Sequence, residues 1–435
     1  MPSSERNADL ESRAVELRER AAALAGRLYA TGKASTTVGR ERAVLRLLGV
    51  SGLDAAGRPL AQEVADRFAA LGPARLGGGI ALPFAAAARE YDLEPQELAL
   101  EIAAGHVDLS LEAELLRDPE RRAAAEATAE AWLVGAWRRF SAQRTARGEL
   151  RALLGEPGPT YLGAEVAGSD AGAAERRAAQ LVGIGADLIL VRVPRDRELR
   201  QGLGEQLDPP EMSEDPRPAP PGSQRGLGLL RAALDDAAAE AGHYAALASY
   251  SVGLAAPDQA VVAGLERIDL VFSDPLEPVV AFGLSPERAI ADHAFAIEVH
   301  ARSGATLVLG PGPVAVAPEM ARGQPLGPAT QAGRALALQA LALELSRCGS
   351  LPDARIQIEA PMAGPDDGPG EARSVAEVQL RRVVFPDHRL ALLEPDSSDP
   401  MGWPLRLLPS LAGGPPPALV LRGPSIGPPA AALIA

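Results

Sequence analysis

Glu165, Arg192, Arg195, Tyr250, Ser251 and Asp274 all fall at or just past the ends of short apolar runs. Together they offer an anion clamp, an aromatic platform and carboxylates. Guanidinium forks such as Arg192 and Arg195 match the geometry of a phosphate or carboxylate. Their competing partners are Asp196 and Glu198, in a surface salt bridge. Tyr250, in Ala-Ser-Tyr-Ser-Val-Gly-Leu, can stack on a flat ring while its hydroxyl meets a polar group; ordinary core packing is the other reading. Asp274, in Val-Phe-Ser-Asp-Pro-Leu, either meets a cationic substrate group or caps the turn that follows. Glu359, Glu394, Asp396 and Arg422 end later runs, and Glu165, Asp274 and Glu359 could work as acid–base groups. One chemistry is restricted at once. Lys33 is the only lysine among 43 basic residues, and it lies near the N-terminus. An enzyme that forms a Schiff base needs an amine, which arginine cannot supply.

These residues converge only if the elements beneath them do. Residues 1–150 read as an N-terminal helical region, with apolar residues at helical spacing around 8–32, 40–48, 60–71, 95–104 and 109–147. From 151 to 435 the pattern becomes short apolar runs alternating with helical stretches. Strands are expected near 161–166, 187–193, 245–251, 268–272, 305–309, 355–359, 389–394 and 418–422. Helices are expected at 171–183, 224–242, 256–265, 285–302, 331–347 and 373–383. Eight strands separated by helices or long connections predict an α/β fold, a (β/α)8 TIM barrel, whose working residues sit at the strand C-termini. The 194–223 connection is long and proline-rich, and reads as a lid or as disorder. The eighth helix is missing from the pattern, so the N-terminal helices or a partner must cover that side.

Composition excludes several classes. A net charge of -14 argues against nucleic-acid binding and against docking on an anionic membrane. Cys348 is alone, so no internal disulfide and no cysteine metal cluster can form. His293 and His300 are seven apart on one expected helix, too far for a zinc-protease pair, and read as partly buried surface histidines. No apolar run is long enough to span a bilayer and the first 30 residues lack a signal-peptide core, so a cytoplasmic protein is expected. The sequence has no Asp-x-His-x-x-Gly motif.

Two stretches resemble a known family. One runs from Ser35-Thr36-Thr37-Val38-Gly39-Arg40-Glu41-Arg42 through Arg46-Leu47-Leu48-Gly49-Val50 to Gly57-Arg58-Pro59-Leu60. The other comprises Ala233-Leu234-Asp235-Asp236, Ser249-Tyr250-Ser251-Val252-Gly253-Leu254, Gly264-Leu265-Glu266-Arg267-Ile268-Asp269 and Ser273-Asp274. Both are similar to the α subunit of D-lysine 5,6-aminomutase and its D-ornithine 4,5-aminomutase relatives, over roughly residues 30 to 425. The resemblance implies a barrel that binds pyridoxal phosphate. It also implies a smaller β subunit that carries adenosylcobalamin and supplies the aldimine-forming lysine. The implied reaction moves a terminal amino group of a lysine- or ornithine-like amino acid. By this likeness Tyr250, with Ser251, lies against the pyridoxal ring. The family's phosphate-binding arginine falls on Val193, with Arg192 and Arg195 on either side. Its substrate-amine acid falls near Gly283, and Glu198 replaces a serine. Those departures leave a second reading open, a non-catalytic scaffold or regulatory subunit that binds a mutase partner.

Overall fold

The computed structural model describes residues 3–33, 35–54, 58–110, 116–155, 162–166, 171–192, 223–252, 256–276, 285–310, 328–361, 370–393 and 418–421. Among the described residues seven helices come first: α1 (Ser3–Lys33), α2 (Val38–Leu47), α3 (Leu60–Ala70), α4 (Pro73–Gly78), α5 (Ala81–Tyr91), α6 (Pro95–Ala104) and α7 (Pro119–Leu154). Then come β1 (Leu162–Val166), α8 (Ala171–Gly183), β2 (Leu188–Arg192), α9 (Gln224–Ala241), β3 (Ala246–Val252), α10 (Ala256–Leu265), β4 (Leu270–Asp274) and α11 (Pro286–Ser303). The chain continues through β5 (Thr306–Leu309), α12 (Pro328–Cys348), β6 (Ile356–Pro361), α13 (Gly370–Val384), β7 (Arg389–Leu393) and β8 (Ala418–Leu421).

All eight strands are parallel and close into one ring, because β8 pairs back onto β1. The expected (β/α)8 barrel is therefore the fold. Leu-Ile-Leu-Val and Thr-Leu-Val-Leu are nearly continuous apolar runs, as parallel strands covered on both faces require. The alternation of strand residues sorts the core into two layers. Leu188, Leu190, Ala246, Ala248, Leu270, Phe272, Val308 and Ala391 fill the ring. Ala164, Val166, Ile189, Val191, Leu247 and Val271 face outward against α8, α9 and α10. Each buried leucine or phenylalanine contributes about 1.5–3 kcal/mol.

Local signals set the helix starts. Ser223 accepts the Gly226 amide at 3.1 Å and opens α9. Ser285, followed by Pro286 in the first turn, opens α11. Asp118 and Pro119 do the same for α7, so the stretch expected at 109–147 becomes a helix beginning ten residues later and ending at Leu154. α4 and α5 were not anticipated, because Gly77-Gly78-Gly79 and Pro83 interrupt the helical pattern there.

The N-terminal helices are joined to the barrel at many points. α1 packs along α11, α12 and α13, while α2 and α7 pack on α10. Phe140 of α7 occupies the space above Gly264, where an added Cβ would overlap its ring. Leu150 and Leu154 at the end of α7 pack against the residues filling the ring. The residues after β8, where the sequence pattern shows no eighth helix, lie outside those described. So do the 194–222 connection, Glu394, Asp396 and Arg422.

His293 and His300 correct one expectation. Both lie on α11 and both are 1% exposed, because α1 and α12 cover the helix that the sequence presents as a surface element. Burial lowers the pKa of His293 to about 4 and that of His300 to about 3. Both are therefore neutral in the native state at pH 7, whereas unfolded imidazoles titrate near 6.5. Their contribution to stability is full above about pH 6.5 and is lost as pH falls through the folded values. The slope is about 1.4 kcal/mol per pH unit for each histidine. The urea midpoint should drop clearly between pH 7 and pH 5, and replacing His300 with an uncharged residue should flatten that drop. Equal midpoints in the unmodified chain would contradict the assignment.

Candidate functional site

The C-terminal mouth of the ring collects the expected residues on consecutive strands. Ala164 and Val166 pack outward, so the residue between them, Glu165, points into the ring. Arg192 ends β2 and pairs in register with Tyr250 of β3. Ser251 pairs with Ser273, and Val252 with Asp274. Glu359 of β6 pairs with Ala391 and is 6% exposed. For Arg192 and Ser251 only the backbone is described, and Arg195 and Gly283 lie outside the described residues.

Tyr250 and Asp274 form the best-defined feature of the mouth. The Tyr250 hydroxyl donates to Asp274 Oδ2 at 3.0 Å. Beneath it, the ring stacks on Phe272, with centroids 6.3 Å apart and planes 25° apart. Phe272 is fully buried and Tyr250 is half-buried. The tyrosine is thus held from below by an apolar ring and at its tip by a carboxylate. That arrangement leaves an oriented aromatic platform. Asp274 is the last residue of β4, two residues beyond the end expected from the sequence. Its side chain fits because residue 310, just past β5, is glycine. A Cβ there would overlap Asp274 Oδ1. Nothing in the local sequence announces this contact, since Gly310 and Asp274 are brought together only by the β4–β5 register.

The sole lysine sits elsewhere. Lys33, at the end of α1, is exposed and its Nζ lies 2.8 Å from Glu298 Oε1 on α11, on the outer layer of helices. Its hydrogen bond to Glu298 holds the ammonium above its ordinary pKa, the opposite of what an imine-forming amine needs. The chain therefore brings no lysine of its own to the mouth. Among the described residues no group of three histidines, cysteines or carboxylates could hold a metal ion. Nor is any described helix long and apolar enough to cross a membrane.

Several polar residues in the two recognisable sequence stretches are buried scaffolding, Arg46, Arg267 and Asp269 among them. Asp269, at the entry of β4 and so at the opposite end of the ring from the mouth, has a fully buried side chain. It forms ion pairs with Arg147 at 3.0 Å and Arg151 at 3.1 Å, both from α7, and with Arg231 of α9 at 3.3 Å. Tyr244 Oη and the Leu247 amide donate to it at 2.7 and 2.9 Å. Arg231 also pairs with Asp235 at 2.7 Å, and Arg267 contacts the same carboxylate. Burial alone would raise the Asp269 carboxyl pKa; Arg147, Arg231 and Arg151 outweigh it and hold the group below the ordinary carboxylate value. Sequence reasoning missed this hub, because its nearest arginine partner lies 38 residues away along the chain and the others lie 118 or more.

The chain is similar to the lysine 5,6-aminomutase α subunit of Fusobacterium nucleatum subsp. nucleatum, with 25% identity over 391 residues covering 87% of this chain and 70% of that one. It is similar to the lysine 5,6-aminomutase α subunit of Acetoanaerobium sticklandii at 29% identity over 281 residues, 63% of this chain and 51% of that one. This chain thus spans about half the length of the second relative. Among solved structures, a rubisco-like protein from Burkholderia fungorum matches at 14% identity and a TM-score of 0.41, over 65% of this chain and 61% of that one. The family model for the D-lysine 5,6-aminomutase TIM-barrel domain of the α subunit matches residues 8–396, from the first helix past β7. With so much of its length accounted for, N-terminal helices and barrel alike, the chain belongs to that α-subunit family.

Proposed function

We propose that this chain is the barrel subunit of an aminomutase that uses pyridoxal phosphate and adenosylcobalamin. A smaller partner subunit would carry the cobalamin and supply the lysine. The substrate would be a small basic amino acid of the lysine or ornithine kind. One observation carries the reading: an oriented tyrosine stands at the barrel mouth, while the only lysine is salt-bridged on the outer helices. The residues present fit a flat, anionic coenzyme in two respects. Tyr250 offers a platform for a planar ring. Arg192 ends the neighbouring strand, in register with it, and with Arg195 is the proposed anion clamp. When bound, pyridoxal phosphate carries the migrating nitrogen and adenosylcobalamin supplies the radical.

The remaining roles belong to side chains of this chain. Tyr250 limits how a bound ring can tilt, and Phe272 stops it from sinking into the ring interior. Asp274 accepts the hydrogen bond of the Tyr250 hydroxyl and so fixes the tip of the ring. Glu165 and Glu359 add carboxylates on the inner face, which suit a cationic amino group. The 1–150 helical region and the 151–435 barrel are proposed to act as one unit, because α7 meets the barrel at its floor.

Absorbance titration with pyridoxal phosphate, in the presence of the lysine-bearing partner, tests the reading. Tyr250→Ala should weaken retention by about 10- to 100-fold, the loss of roughly 1.4–3 kcal/mol of ring contact, while far-ultraviolet dichroism stays unchanged. Unchanged retention would remove Tyr250 from the site. No binding by the unmodified pair would favour the non-catalytic scaffold instead.

A further inference from the structure

The two strands that carry Tyr250 and Asp274 are each followed by a helix that α2 grips. α10 begins at Ala256, four residues after β3 ends at Val252, and it packs on both β3 and β4. Asp258 lies in that first turn and is 6% exposed. Two guanidinium groups from α2, one helical turn apart, converge on it. Arg46 Nε contacts Asp258 Oδ1, and Arg42 Nε lies 3.8 Å from Oδ2. Both arginines are buried as well. Arg46 also donates to Gln224 Oε1, on the first residue of α9, at 2.8 Å; Gln224 Nε2 in turn reaches Glu266 Oε1 at 2.8 Å. At the start of α2, its cap Thr37 donates to Asp292 Oδ1 on α11, the helix after β4.

A buried ion pair of this kind adds little net stability, since desolvation offsets most of the attraction. What it does supply is fixed placement. The planar fork of Arg46 meets two acceptors on two different helices, which a mobile point charge could not do. The carboxylate it holds sits in the first turn of α10, where the helix dipole favours negative charge. None of these residues belongs to the mouth itself.

We propose that Arg46, acting through Asp258, is a positioning residue for the mouth. α2 sets the orientation in which the β3–α10 and β4–α11 units present Tyr250 and Asp274 to each other. The inference rests on the mouth being the ligand site, but its first test needs no ligand. The chain has five tyrosines, so 3-fluorotyrosine labelling gives a short fluorine spectrum in which Tyr250→Phe assigns the Tyr250 signal. Arg46→Ala should shift or broaden that signal and leave the Tyr29 signal in place. Asp258→Asn, which keeps the shape of the side chain, should do the same and serves if the first variant does not fold. Arg46→Lys keeps the charge but loses the fork, and should fall between. In the titration, pyridoxal phosphate should bind Arg46→Ala about tenfold more weakly, as a small misplacement of a contact residue predicts. An unmoved Tyr250 signal in both variants overturns the proposal, and so does a moved signal with unaltered affinity. A moved signal in a chain that binds no pyridoxal phosphate supports the brace and sinks the ligand reading alone.

Discussion

Asp269→Ala should cost about 3–5 kcal/mol of stability, the effect expected when one partner of a buried ionic cluster is removed. Three guanidinium groups, from Arg147, Arg151 and Arg231, converge on this one carboxylate. Without it they face one another across a dry floor, and Tyr244 and the Leu247 amide lose their acceptor. Two of the arginines belong to α7, so the loss should also loosen the N-terminal helices from the barrel. Asp269→Asn keeps an acceptor but no charge and should fall between the two. Asp353→Ala makes a suitable control, because that carboxylate is half exposed where it pairs with Arg347, and its loss should cost under about 1 kcal/mol. Equilibrium urea unfolding checks all three. The pH dependence follows from the depressed carboxyl pKa of Asp269. Its contribution is present above the unfolded value, near 3.9, and disappears as pH falls through the lower folded value. That window opens near the bottom of the one set by His293 and His300, so a loss between pH 6.5 and pH 4 belongs to the histidines alone. A cost under about 1 kcal/mol for Asp269→Ala would mean that the floor cluster does not join α7 to the ring.

Gly310→Ala should damage the mouth at its other end. The new Cβ would overlap Asp274 Oδ1, on a buried side chain with no slack. Either the β5 end shifts, at about 1–3 kcal/mol for overpacking, or the carboxylate rotates away from Tyr250. The second outcome breaks the Tyr250–Asp274 hydrogen bond, worth about 0.5–1.5 kcal/mol, and frees the tyrosine ring. Pyridoxal phosphate affinity should then fall by about tenfold or more. Gly333→Ala is the matched control: its site on α12 is open, and alanine there should be neutral or stabilising by about 0.5–1 kcal/mol. Equal affinity and stability for Gly310→Ala and the unmodified chain would mean that the Tyr250–Asp274 geometry is not set by this contact.

The barrel was readable because parallel strands are covered on both sides and so appear as unbroken apolar runs such as Leu188-Ile189-Leu190-Val191. α10 was expected at 256–265 and α8 at 171–183, and those are their bounds. The N-terminal region was less legible. α5 buries Phe84 and four alanines, which give little periodic contrast, and a glycine run precedes it. The mouth was legible by position, since Glu165, Arg192, Tyr250 and Asp274 lie at or near the C-terminal ends of consecutive strands. Its contacts were not. The Tyr250–Asp274 bond depends on β3–β4 register, and the room for it depends on Gly310 one strand further on. Thr37 and Arg46, inside a stretch recognised by its likeness alone, turn out to face α11 and α10. Nothing in their spacing says so, because the partners Asp292 and Asp258 lie more than 200 residues away.

The central claim is that this chain offers a cradle for the coenzyme while the amine that grips it comes from another subunit. Borohydride reduction of the loaded complex of the two subunits, followed by peptide mass mapping, addresses it directly. The account predicts the reduced pyridoxyl group on a lysine of the cobalamin-bearing partner, with Lys33 unmodified and Lys33→Arg labelled to the same extent. Pyridoxyl label on Lys33, or a complex that takes up no label at all, would contradict it.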